Sequence, residues 1–184
     1  MSYNVAEVLF KEEKTMNKQQ IYYMLDHNGY NYFSVDHPAV FTIEEMKNCN
    51  LPYMEYVAKN LFLRDDKKEH YYLVVMTHDK SADLKKLKDA IGSRKLSFAS
   101  EVDLAIKLDL IKGSVTPLGI LNDEDRSVEV IIDNDIMNNE KVGVHPNTNE
   151  ASVWLSPMDM VKIIEDHGNK IKFIDRSEER RVGK

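Results

Sequence analysis

Three short stretches carry the residue types that chemistry requires. The first is a lysine inside an apolar strand pattern. Val57, Lys59, Leu61 and Leu63 alternate with Tyr56, Ala58, Asn60, Phe62 and Arg64, and residues two apart in a strand share a face. Lys59 therefore shares its face with a valine and two leucines, so that face is a core with Lys59 at its rim, or the sheet is covered on both sides. An ammonium in such surroundings must find a partner or give up its charge. One reading is a snorkelling lysine, stem packed and amine in water. The other is a cation at a pocket wall, for an anionic or carbonyl-bearing ligand.

The second stretch is Gly113-Ser114-Val115-Thr116-Pro117, expected between a helix and a strand. Glycine allows close approach of a ligand to the backbone, and Pro117 fixes the exit of the loop. Rigid N–H and C=O groups there could hold an ester carbonyl, an amine or a water. The plainer reading is a connecting loop whose glycine stops a helix. The third stretch is Val144-His145-Pro146-Asn147-Thr148-Asn149. His145 at a strand end is placed to donate or accept a hydrogen bond; alternatively this is a turn whose asparagines bond their own backbone. The other histidines, His27, His37, His70, His78 and His167, lack metal-ligand spacing. Cys49 is the only cysteine, which excludes an internal disulfide and a multi-cysteine zinc site. No nucleophile elbow, P-loop or dinucleotide fingerprint occurs.

The elements that must carry these residues are legible from periodicity and punctuation. A helix is expected from Met16, with Ile21, Met24 and Leu25 on one face and Gly29 as its stop. Residues 30–36 read as a strand. Thr42 and Glu45 form a capping box for a short helix ending near Asn48. The Lys59 strand follows, then a polar hairpin connection over 65–69. Residues 71–77 are a nearly continuous apolar run, the mark of a strand buried on both faces. Ser81 and Ser100 are candidate caps for two further helices. After residue 117 the chain becomes strand-rich, at 118–121, 128–133, 141–145 and 152–155. Short turns there favour antiparallel pairing. Ser156 and Pro157 open a last helix that ends at Gly168, and residues 171–174 form a final strand. The expected architecture is α+β: a single domain with a central mixed, largely antiparallel sheet surrounded by helices. Residues 1–15 read as an N-terminal extension, 16–175 as the domain, and 176–184 as a disordered tail.

Composition bounds the partners. The chain has 184 residues, of which 42% are hydrophobic and 30% charged, a globular balance with length for one well-buried core. No apolar run approaches the roughly 20 residues of a membrane span, and no secretory signal opens the chain, so a cytoplasmic protein is expected. The net charge of −6 argues against broad binding to long duplexes, where phosphate neutralisation supplies the affinity. A local contact with the end of a nucleic acid remains open.

Taken together, three segments resemble one family: residues 59–65; residues 96–101 running on to 113–123; and residues 144–149. In order and spacing they are similar to the YbaK/ProX-type aminoacyl-tRNA deacylases, relatives of the editing domain of bacterial prolyl-tRNA synthetase. Within that group the chain most resembles the free-standing prolyl-tRNA synthetase-associated domain, which removes alanine from mischarged proline tRNA. The resemblance spans roughly residues 16–175. It implies that Lys59 is the essential lysine, with Asn60 beside it. Gly113 and Pro117 would bound the G-x-x-x-P loop that holds the aminoacyl group, with Ser114, Val115 and Thr116 between them. His145 would lie near the pocket. Val40, Phe41 and Thr42 are candidates for part of the side-chain wall. The implied chemistry is hydrolysis of the aminoacyl ester by water, helped by the neighbouring ribose hydroxyl, with no metal or other cofactor. The implied partner is the acceptor end of an aminoacylated tRNA, with prolyl-tRNA synthetase as a second candidate and no membrane. Two alternatives stand beside Ala-tRNA of the proline acceptor: another small amino acid such as cysteine or serine, or a non-catalytic module that binds charged tRNA or a synthetase.

Overall fold

The Lys59 strand and the apolar run after it pair as an antiparallel hairpin, β2 (Ala58–Asp65) with β3 (Tyr71–Thr77), and Lys59 faces Met76 across it. The structure is a computed structural model that describes residues 15–176. The expectations for residues 1–14 and 177–184 lie outside the described residues.

The remaining strands are β1 (Tyr32–Asp36), β4 (Leu96–Phe98), β5 (Val128–Asp133), β6 (Val142–Val144), β7 (Ala151–Leu155) and β8 (Ile171–Ile174). They form two sheets. The larger has the order β4-β2-β3-β5-β8 and the smaller the order β1-β7-β6. An isolated bridge between Val57 and Gly143 joins their edges. The α+β class holds, and the single expected sheet is two. Pairing in the small sheet is antiparallel throughout. In the large sheet β5 instead runs parallel to both β3 and β8. Long crossovers separate these strands, and a crossover delivers a parallel neighbour where a short turn delivers an antiparallel one.

The helices are α1 (Lys18–His27), α2 (Ile43–Asn48), α3 (Leu84–Ile91), α4 (Glu101–Leu108), α5 (Asn134–Met137) and α6 (Pro157–His167). Ser100 caps α4 through the Asp103 amide, and Ser156 caps α6 with Pro157 in its first turn. Two caps differ from expectation. Asp83, not Ser81, caps α3, because its carboxylate accepts from both the Lys85 and Lys86 amides. Thr42 accepts from the Glu45 amide as expected, but the Glu45 carboxylate reaches back one residue further, to the Phe41 amide at 2.6 Å. Residues 118–121 are not a strand. Pro117–Asn122 is a 3-10 helix, with Thr116 as its cap. Proline's fixed φ suits a first helical turn, and Leu118 and Ile120 are fully buried.

Both faces of the large sheet are covered, which resolves the environment of the Lys59 strand. Leu61 and Leu63 pack under Leu87 and Ile91 of α3. Ala58 and Phe62 point to the other face, into a cluster shared with Leu104 and Leu108 of α4, Ile163 and Ile164 of α6, and Val144 and Val153 of the small sheet. Lys59 lies near the start of β2, where this double cover ends. Among the described residues no helix is long and apolar enough to cross a membrane.

Candidate active site

A cavity of about 300 Å³ opens where the two sheets meet. Lys59 and Asn60 line it from β2, Gly143, Val144 and His145 from the end of β6, and Gly113 and Val115 from the loop after α4. Val40, Phe41, Thr42, Ile43 and Met46 form most of the remaining wall, with Val57, Ala58 and Ser152. Eight of the sequence-selected positions thus meet in one place: Lys59, Asn60, Gly113, Val115, His145, Val40, Phe41 and Thr42. Ser114, Thr116 and Pro117 do not line the cavity. They are buried and shape the loop that does.

The loop is held from both ends. Gly113 has φ +87°, and a Cβ there would lie 2.7 Å from Phe41 Cδ1 and 3.2 Å from the Val40 carbonyl oxygen. Only glycine permits so close an approach in that conformation. The Ser114 hydroxyl donates to the Ile111 carbonyl at 2.7 Å and accepts from the Ile111 amide. Thr116 Oγ1 donates to the His145 carbonyl at 2.6 Å, so the loop and the β6 end move together. Asn60 Nδ2 donates to the Val115 carbonyl at 3.3 Å. That bond fixes the amide orientation and leaves Asn60 Oδ1 buried, with no hydrogen-bond partner among the described residues.

Lys59 Nζ donates to the Lys80 carbonyl at 3.0 Å. The amine is therefore held at the rim and does not dangle in water, contrary to simple snorkelling. His145 Nδ1 lies 2.8 Å from the Ala151 carbonyl. A carbonyl only accepts, so Nδ1 carries the proton and Nε2 is left as an acceptor. Burial lowers the His145 pKa below the ordinary imidazole range, and the nearby His37 adds to that against the opposing Ala151 bond. His145 is thus neutral near pH 7 and serves as a hydrogen-bonding group.

Sequence reasoning missed part of the wall. Ile43 and Met46 sit three apart on α2, a helical spacing that marks one buried face. Ser152 lines the cavity as well, with His37 beside it: His37 Nε2 meets Ser152 Oγ at 2.9 Å, and the His37 and His145 ring centroids are 6.1 Å apart. Nothing local in the sequence pairs positions 115 residues apart. Asn149, read as a turn residue, ties down the wall instead, donating to the Val40 carbonyl at 3.0 Å.

Comparison with known proteins bears on the family and the fold. The sequence profile of the aminoacyl-tRNA editing domain matches residues 37–163. A prolyl-tRNA editing protein, ProX, from Acetoanaerobium sticklandii is 48% identical over 158 residues, covering 86% of this chain and 96% of its own. The prolyl-tRNA synthetase associated domain-containing protein 1 of Bos taurus is 38% identical over 143 residues, covering 73% and 81%. The solved structure of a candidate trans-editing enzyme for prolyl tRNA synthetase superposes with a TM-score of 0.65 at 18% identity, covering 87% of this chain and 97% of that one. That last likeness establishes the fold.

Proposed function

The chain belongs to the aminoacyl-tRNA editing domain family, and on that premise we propose that it hydrolyses alanine from mischarged proline tRNA in trans. Membership of the family makes the protein an aminoacyl-tRNA deacylase; the alanine specificity is the finer step. One observation carries it. A cation, a glycine-bounded backbone loop and an apolar wall converge on one small cavity, at the lower end of the range for ligand pockets.

In this reading Lys59 holds the terminal phosphate or the ester end of the tRNA. The loop 113–117 presents backbone groups to the aminoacyl carbonyl and the α-ammonium. The Val115 carbonyl is already engaged by Asn60, so Asn60 and the loop act as one surface. Water adds to the ester carbonyl; the C–O bond to the terminal ribose breaks, releasing the amino acid and a free hydroxyl on the tRNA. The adjacent ribose hydroxyl helps to activate that water. The protein contributes orientation and stabilisation of the oxyanion. Val40, Ile43 and Met46 limit the side chain to the size of alanine, the second sieve of a double-sieve system. Only the single-stranded acceptor end enters, so the net charge of −6 is no obstacle. Prolyl-tRNA synthetase is the second partner in this proposal.

The test is deacylation of proline tRNA charged with alanine, cysteine, serine or proline, by wild type and Lys59→Ala side by side. Rapid loss of alanine, dependent on Lys59, is expected. Preferential cleavage of another ester would reassign the specificity. Binding of charged tRNA without cleavage would make the protein a recognition module.

A further inference from the structure

Two fully buried charges and a third, mostly buried one lie just outside the cavity and do not line it. Lys80 is fully buried, and its Nζ pairs with Asp133 at 2.5 Å and Asp135 at 3.0 Å. Asp133, fully buried at the end of β5, also caps α5 through the Asp135 amide. Buried charges are costly unless paired and hydrogen-bonded, and an apolar side chain would fill such a position more simply. What this cluster fixes is the segment 78–83 between β3 and α3. That segment is pinned at further points: the Lys80 amide donates to the Thr77 carbonyl at 3.2 Å, His78 Nδ1 to the Val57 carbonyl at 3.1 Å, and Arg176 Nη2 to the Ser81 carbonyl at 3.1 Å. The group held in place at its centre is the Lys80 carbonyl, which receives the Lys59 ammonium.

We propose that Lys80 is a positioning residue for Lys59. Its side chain, locked between Asp133 and Asp135, sets the position of its own carbonyl, and that carbonyl aims the Lys59 amine at the cavity rim. A lysine carries a flexible four-carbon stem and a head that makes no fixed fork. A rigid acceptor removes much of that freedom before substrate arrives, which is how a supporting residue sharpens a reacting constellation. The inference rests on the reading of Lys59 as the cation that holds the substrate. It adds to that reading a device made of residues 53 and 55 positions apart in the chain, none of which contacts the substrate.

The test uses Lys80→Met, which removes the internal cation, and Asp135→Asn, a milder change at a side chain that retains 13% exposure. Folding is checked by circular dichroism. Two readouts follow: kcat/KM for the alanyl ester, and the rate at which N-hydroxysuccinimide acetate modifies Lys59, followed by mass spectrometry. Exposed Lys85 and Lys86 serve as internal references. Expected for Lys80→Met are a loss in kcat/KM of about 10- to 100-fold and a several-fold rise in Lys59 acetylation, with the references unchanged. Asp135→Asn should move both readouts in the same direction by less, and it carries the test alone should Lys80→Met fail to fold. Unaltered Lys59 acetylation in every folded variant overturns the proposal. The acetylation readout needs no turnover. If wild type cleaves none of the esters while acetylation still rises, the positioning inference stands and the deacylase assignment falls.

Discussion

Replacing Gly113 by alanine tests whether the loop and the wall are one device. The backbone there has φ +87°, a left-handed conformation that costs a residue with a Cβ about 1–2 kcal/mol. The new methyl would meet Phe41 Cδ1 at 2.7 Å, the Val40 carbonyl at 3.2 Å and Asn149 Nδ2 at 3.3 Å. The Phe41 ring is 56% exposed and can swing away at little cost. The Val40 carbonyl and the Asn149 amide cannot, because they are hydrogen-bonded to each other. Weakening that bond adds about 1 kcal/mol, for a total near 2–3 kcal/mol and a fall in Tm of about 4–12 °C for a domain of this size. Displacing Phe41 also opens the wall, so kcat/KM for the alanyl ester should drop about tenfold. Gly92→Ala is the matched control. It lies at φ +76° with nothing within 4 Å of the added Cβ, so it should lose the conformational term alone and keep full turnover. Thermal melts and single-turnover deacylation of all three proteins settle the matter. Equal melting and equal turnover for Gly113→Ala and Gly92→Ala would refute the reasoning.

Other perturbations probe separate parts of the molecule. Lys59→Ala should reduce deacylation to background while leaving the circular dichroism spectrum and Tm close to wild type; unaltered turnover would remove Lys59 from the site. Val40→Ala should cost about 2 kcal/mol of stability and raise turnover of the prolyl ester relative to the alanyl ester by about 10-fold or more, the usual worth of a methyl in a selective pocket. Burial opposes ionisation of Asp65, yet bonds from His70 and from the Glu69 and His70 amides outweigh it and lower its pKa to about 2. A carboxyl whose folded pKa is depressed stabilises the fold above its unfolded value and loses that contribution as pH falls through the folded one. Urea melts should therefore lose about 1–2 kcal/mol between pH 5 and pH 2, and Asp65→Asn should flatten that slope. The proposed scheme uses water and the ribose hydroxyl without a metal, so chelators should leave deacylation unchanged; a loss restored by zinc would overturn the hydrolytic scheme.

What was legible in the sequence was mostly local. The period-two pattern around Lys59 gave its strand, and glycine, proline and hydroxyl caps gave most helix ends, because those signals act over a few residues. Residues 118–121 were misread for a physical reason: four apolar or small residues suit a short strand and a buried 3-10 turn equally, and Thr116 and Pro117 decide between them. The division into two sheets was hidden because β1 pairs with β7, from the opposite end of the chain. The Lys80 cluster was hidden likewise, its carboxylates lying at the end of β5 and in the short helix α5. The convergence of Lys59, Gly113 and His145 was visible as a resemblance of motifs, whereas their geometry needed the crossovers.

The bridge between Val57 and Gly143 has a consequence for how such an enzyme can change. Lys59 and Asn60 ride on the large sheet, while the wall from Val40 to Met46 is tied through Asn149 to the small one. In the proposed reading, the cation and the side-chain wall are therefore held by different sheets that meet along a seam. A substitution that re-seats the small sheet shifts that wall, and with it the loop bonded to His145, while Lys59 stays on the large sheet. Altered specificity in such an architecture need not begin with a change at the residues that do the chemistry.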